Sequence, residues 1–156
     1  MTDKNDGARL DKVLEVRRWK EQSEIQALVD AQEAVTEAEE TLARLRAEWS
    51  TLRRGMNEAS AAVVGQLQAL TLMMEQLERG IELADRARNA AAHRVSRQTD
   101  SYLEAHAERR AVEKARDRRE TRAQLARKER EQKRDDEIAM ERYWRGDGTM
   151  NSGDRG

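Results

Sequence analysis

From Val63 the chain can be stepped alternately by four and three residues through Leu67, Leu70, Met74, Leu77, Ile81, Ala84, Arg88, Ala91, Val95, Gln98, Tyr102, Ala105, Arg109 and Val112. Twelve of these fifteen positions are apolar. An apolar stripe with a 3.5-residue period faces a partner helix along a narrow seam, which is the pattern of a coiled coil. It predicts one very long helix from about Glu58 to Arg145. Past Val112 the same stepping lands on Arg116, Arg119, Ala123, Ala126, Arg130, Lys133 and Glu137, and apolar residues return only at Met140 and Trp144. The helix is expected to carry on where its partner within the chain has ended.

That partner precedes it. Leu28, Ala31, Val35, Ala38, Leu42, Leu45, Trp49 and Leu52 follow the same three-four spacing, after a looser stripe of Leu10, Val13, Leu14 and Ile25. A first helix is predicted from Ala8, capped by Asp6, to Arg54, about 70 Å at 1.5 Å per residue. Gly55 stands where a C-terminal cap glycine would, and Asn57 and Ser60 are plausible caps for the second helix. So short a break, at residues 55–58, forces an antiparallel hairpin. Gly65 belongs either to the turn or to the second helix, whereas Gly80 is interior to that helix. Folding at 55–58 sets Leu10 beside Leu103 and Leu45 beside Leu67 or Leu70. It exhausts the first helix near Ala105, so about forty residues of the second would overhang by roughly 60 Å. The predicted fold is therefore all-α: residues 1–156 form a single elongated domain, a long antiparallel two-helix coiled-coil hairpin with the second helix overhanging. It consists of helix 8–54, turn 55–58, helix 58–145 and a disordered polar tail over 146–156.

Composition sharpens this picture. The 156 residues are 39% charged and 3% aromatic, with no proline and no phenylalanine, too little large apolar surface for an ordinary globular core. Such polarity also suits a disordered chain, but the sustained heptads and the abundance of Ala, Leu, Glu, Arg and Gln favour long helices. Without cysteine there is neither a disulfide frame nor thiolate chemistry. The polar N-terminus has no apolar signal-peptide core, and no run reaches the ~18 apolar residues of a membrane span. A soluble cytoplasmic protein is expected. The net charge of −1 is unevenly spread: residues 107–134 hold twelve Arg or Lys against six Asp or Glu, while residues 30–60 carry an excess of three acidic groups.

Candidate chemistry is sparse. His93 and His106 lie thirteen residues apart without cysteine neighbours, unlike zinc ligands at short spacings, and read as ordinary helix-surface histidines. A two-helix hairpin has no concave pocket in which to shift the pKa values of paired carboxylates, and no phosphate-binding loop or nucleophile elbow is present. An enzyme is not expected, nor a metal or cofactor. The basic stretch 109–134 raises nucleic-acid binding, but its interleaved acids and lack of stacking aromatics favour a solvated or protein-facing helix. Two apolar features point to protein recognition. Near the turn, the adjacent Met73 and Met74 cannot both face the first helix and Leu72 lies off the seam, with Trp49 close by; these residues serve recognition or merely cover the turn. At the far end, Ile138, Met140, Tyr143 and Trp144 form an apolar knot beyond the charged run. Trp19 either joins that docking end or packs against the second helix.

The segment Arg127-Lys128-Glu129-Arg130-Glu131-Gln132-Lys133-Arg134-Asp135-Asp136-Glu137-Ile138-Ala139-Met140-Glu141-Arg142 resembles the C-terminal signature of the FliJ family of flagellar export proteins. That signature is a Gln-Lys-Lys/Arg-x-Asp-Glu-Phe/Ile-Ala core followed by arginine. Leu70–Ile81, with Met73, Leu77, Glu78 and Ile81, and Leu10–Arg18, with Lys12-Val13-Leu14 and Arg17-Arg18, are similar to the family's central and N-terminal segments. The tail from Gly146 has no counterpart. The resemblance implies a nonenzymatic stalk, similar to the rotor stalks of F- and V-type ATPases. Its joined helix ends would insert into the hexameric export ATPase. Its other end would reach the cytoplasmic domain of the export gate and exchange export chaperones. Such a protein would be peripheral to the inner membrane at the export apparatus, with no direct membrane insertion. On this reading Arg116, Arg119, Arg122, Arg127, Arg130, Lys133, Arg134, Ile138 and Met140 are the candidate ATPase-ring contacts. Trp49, Leu72, Met73 and Leu77 are the candidate gate and chaperone contacts. The virulence type III secretion stalk proteins share this architecture and remain an alternative. So does a homodimeric structural coiled coil whose overhang pairs in trans. A nucleic-acid-binding helix stands third.

Overall fold

A computed structural model describes residues 2–58 and 64–147, with side chains described over 6–58 and 64–146. These residues form two α-helices, α1 (Thr2–Glu58) and α2 (Val64–Asp147), packed as a hairpin. Helices of this length need every backbone group kept in the ladder. Thr36, Thr51, Thr71, Thr99 and Thr121 satisfy their own hydroxyls by donating them to the carbonyls four residues earlier, so they do not compete for the ladder's N–H groups. By contact the chain divides into two compact units, residues 15–109 and residues 1–14 with 110–156.

In the unit 15–109 the two apolar stripes are the packed faces. Every predicted α1 position from Leu28 to Leu52, and every α2 position from Leu70 to Arg109, is buried or partly buried. Ala31, Leu42 and Ala105 are the most enclosed, at 2%, 3% and 1% exposure. Seam alanines contribute little area each, but they bring the backbones close and let larger neighbours fill the gap. Gly80 lies against Leu45, and a Cβ there would stand 3.6 Å from Leu45 Cδ1, an ordinary contact.

The register differs from the one predicted. Leu45 meets Gly80 rather than Leu67 or Leu70, Trp49 meets Glu78, Glu24 meets Gln98 and Arg17 meets Glu108. The cause is local. Met56, four residues past Leu52 and partly buried, extends the α1 stripe by one more step, so the helix runs on through Gly55 and Asn57 to Glu58. Gly55 keeps a helical φ and neither caps nor turns the chain. The predicted turn 55–58 is thus helical, and residues 59–63, between α1 and α2, lie outside the described residues. Ser60, expected as a cap, and Val63, the first seam position, lie outside the described residues. Gly65 is inside α2. At the outer limits, α1 starts at Thr2, which places Asp6 within the helix rather than at its cap, and α2 continues past Arg145 to Asp147. The rest of the expected tail, from Gly148, falls outside the described residues.

In the unit of residues 1–14 and 110–156, Leu14 is 2% exposed and the Asp11 carboxylate pairs with Arg116 Nε at 2.9 Å. Gly7, Leu10 and Asp11 line a shallow depression of about 210 Å³ with Arg116, Arg119, Glu120 and Ala123. α1 therefore still accompanies α2 at Ala123, not merely to Ala105. Leu10 faces this segment instead of Leu103. From Arg127 to Gly146 every side chain is exposed. This exposed stretch is about 30 Å long, half the length of the predicted overhang.

Candidate functional site

The loose stripe before Leu28 proves to be a charged layer of the seam. Continuing the three-four stepping backwards from Leu28 reaches Glu24, Glu21 and Arg17, all partly buried, while Val13 points outward. Glu21 takes the centre: it pairs with Arg109 Nε and lies 2.6 Å from His106 Nδ1. Glu108 receives Arg17 and, at 3.3 Å, Lys20 Nζ. Gln98 donates to Glu24. Burial pushes the Glu21 carboxyl upward, but the hydrogen bonds and charges of His106 and Arg109 outweigh it and hold the group below its usual value. His106 is therefore a seam contact rather than an ordinary surface histidine, with the Tyr102 ring 5.9 Å away; His93 is exposed. The signal was available in the heptad stepping, but three charged residues interrupted the apolar pattern that made it visible.

Near the turn the structure separates the residues that sequence had grouped. Met73 and Leu77 line an apolar groove of about 830 Å³, walled on the α1 side by Arg44, Glu48, Thr51 and Leu52. Leu72 lies instead on a second, shallower surface with Val64, Leu67 and Thr71. Trp49 is in the seam, its indole N–H donating to Glu78 Oε1 at 3.3 Å and Arg53 stacked 4.9 Å from its ring centre. It does not line the groove. The α1 wall was missed because Ala47, Thr51 and Gly55 give it no apolar signal of its own; only the register creates it.

Toward the other end, Arg116 is engaged by Asp11, and Arg119 is partly buried beside Leu10. Arg122, Arg127, Arg130, Lys133 and Arg134 are exposed. So are Ile138 and Met140, followed by Tyr143 and Trp144, whose rings meet edge to face at 6.3 Å while remaining 67% and 68% exposed. Trp19 does not pack on α2; it is 73% exposed. Among the described residues no three His, Asp or Glu side chains converge as metal ligands, and no helix is long and apolar enough to cross a membrane.

The family model described as "Flagellar FliJ protein" matches residues 6–148, nearly the whole chain. No match was found among curated proteins or among solved structures.

Proposed function

The chain belongs to the FliJ family, non-catalytic stalk components of flagellar type III export, and on that premise we propose how it engages the export apparatus. Its paired helix ends insert into the hexameric export ATPase, and its turn end reaches the cytoplasmic domain of the export gate and exchanges export chaperones. It works in the cytoplasm, peripheral to the inner membrane, without nucleic acid. The observation that carries this reading is the exposed stretch Arg127–Arg145 of α2, which presents cations and then an apolar end.

A lone helix of this length is marginal in water and gains order from a partner that covers it. Arg122, Arg127, Arg130, Lys133 and Arg134 are free to meet acidic loops of a ring lumen, with Ile138 and Met140 supplying apolar contact. Arg116 and Arg119 sit where α1 still runs beside α2, so they form the edge of the contact. At the turn, Met73 and Leu77 in the groove and Leu72 on the adjacent surface, backed by Trp49, are the gate and chaperone contacts.

The test of ring docking is R127E/R130E/R134E. Stimulation of the ATPase should fall by tenfold or more while helix content and thermal unfolding stay unchanged, since these residues lie past the hairpin contacts. Unaltered stimulation would remove the segment from the ring. In the same way, L72A/M73A should weaken binding to the isolated gate domain; an unchanged affinity returns both residues to a structural role.

A further inference from the structure

The exposed stretch of α2 carries its charges in blocks. Residues 127–134 hold five basic side chains against two acidic ones, and residues 135–141 hold four acidic side chains and no basic one. All of them are exposed, and among the described residues no side chain of α1 reaches them. A helix with adjoining blocks of opposite sign is complementary to itself when reversed. We propose that this stretch pairs antiparallel with the same stretch of a second copy of the chain, forming a weak dimer that covers the segment in the free protein.

The heptad phase gives the pairing its register. Continued from Ala126, the α2 seam passes through Arg130, Lys133, Glu137, Met140 and Trp144. With the two-fold axis between Lys133 and Glu137, Lys133 of one copy faces Glu137 of the other and Arg127 faces Glu141. Met140 lies along the aliphatic stem of Arg130, where a long cationic side chain can cover apolar surface and keep its charge in water. Trp144 comes level with the small Ala126. Each of these contacts occurs twice, as a two-fold interface requires. The axis also sets Arg134 against Arg134 and Asp136 against Asp136, and so short and polar a seam buries little area. Both effects keep the dimer weak and exchangeable, so a tighter-binding partner can displace the second copy. The inference does not rest on docking to the ATPase, since it is read in solution without that enzyme.

The experiment is the mass of the full chain in solution by sedimentation over a range of concentrations at low salt. The apparent mass should rise from the monomer's 18.0 kDa toward twice that value. It should return to the monomer in about 1 M salt, where the screening length is about 3 Å. Two block-inverted chains provide the decisive control. R130E/K133E/R134E, with both blocks acidic, and D135K/D136K/E137K, with both basic, should each stay monomeric alone and form a heterodimer when mixed. All of the substitutions lie beyond the hairpin contacts, so thermal unfolding should not change. A wild type that is monomeric at every concentration, a dimer indifferent to salt, or inverted chains that fail to pair on mixing would each overturn the proposal.

Discussion

Glu21 shows how much a single residue decides in a hairpin this thin. Its side chain is 13% exposed and faces His106 and Arg109, with Arg17, Lys20, Glu24 and Glu108 forming the rest of the layer. Its value in the folded chain is lowered, so its stabilising effect is full above the ordinary glutamate range, about 4.3, and is lost as pH falls through the lowered value. Glu21→Gln should therefore unfold at a lower temperature than the native chain at neutral pH, and the difference should shrink as pH falls below the ordinary glutamate range and close once the lowered value is passed. A difference that persists unchanged in acid would mean that the charge of Glu21 is not the stabilising element. Apolar positions act through volume instead. Leu42 is 3% exposed, so Leu42→Ala should cost about 2 kcal/mol or more. That is a fall of roughly 5 °C in Tm, measured by circular dichroism. Leu42 was legible from spacing alone. Glu21 was not, because a charged residue is assigned to the solvent face until its partners are known.

At the scale of the helices, the stripes were readable from Leu28 to Leu52 and from Leu70 to Arg109, but the point where they reverse was not. Gly55 and Asn57 carry the composition of a helix end, whereas Met56 carries the period of a continuing helix. Packing of Met56 on the seam decided between them. Glycine within a helix costs about 1 kcal/mol relative to alanine unless close packing requires it. Gly80 has ordinary room for a Cβ beside Leu45. Gly80→Ala should accordingly raise stability by about 1 kcal/mol, seen as a rise of a few degrees in Tm. A fall would show that Leu45 cannot yield, and that the glycine is kept for close approach.

For the molecule as a whole, protection should follow the seam. In dilute solution, amide hydrogen exchange should be slowest for seam residues of 28–52 and 77–105 and fast for 127–145, where every side chain is exposed. Addition of the export ATPase should slow exchange in 127–145 if ring docking is right, and leave it unchanged if that segment is free in the complex. Exchange there that is already slow in the dilute chain would contradict the exposure of the stretch.

By itself the sequence determined the helices, their pairing faces and the family, because a 3.5-residue period and a run of signature residues are local properties of the chain. Only the tertiary structure decided the register. That register turns on which of two competing local signals wins at residues 52–58, and a shift there propagates along both helices. It moved Leu45 to Gly80, gave Glu21 its partners His106 and Arg109, built the groove beside Met73 and Leu77, and paired Arg116 with Asp11. Contacts between residues far apart in the chain depend on where the chain turns, and no periodicity within either helix records that.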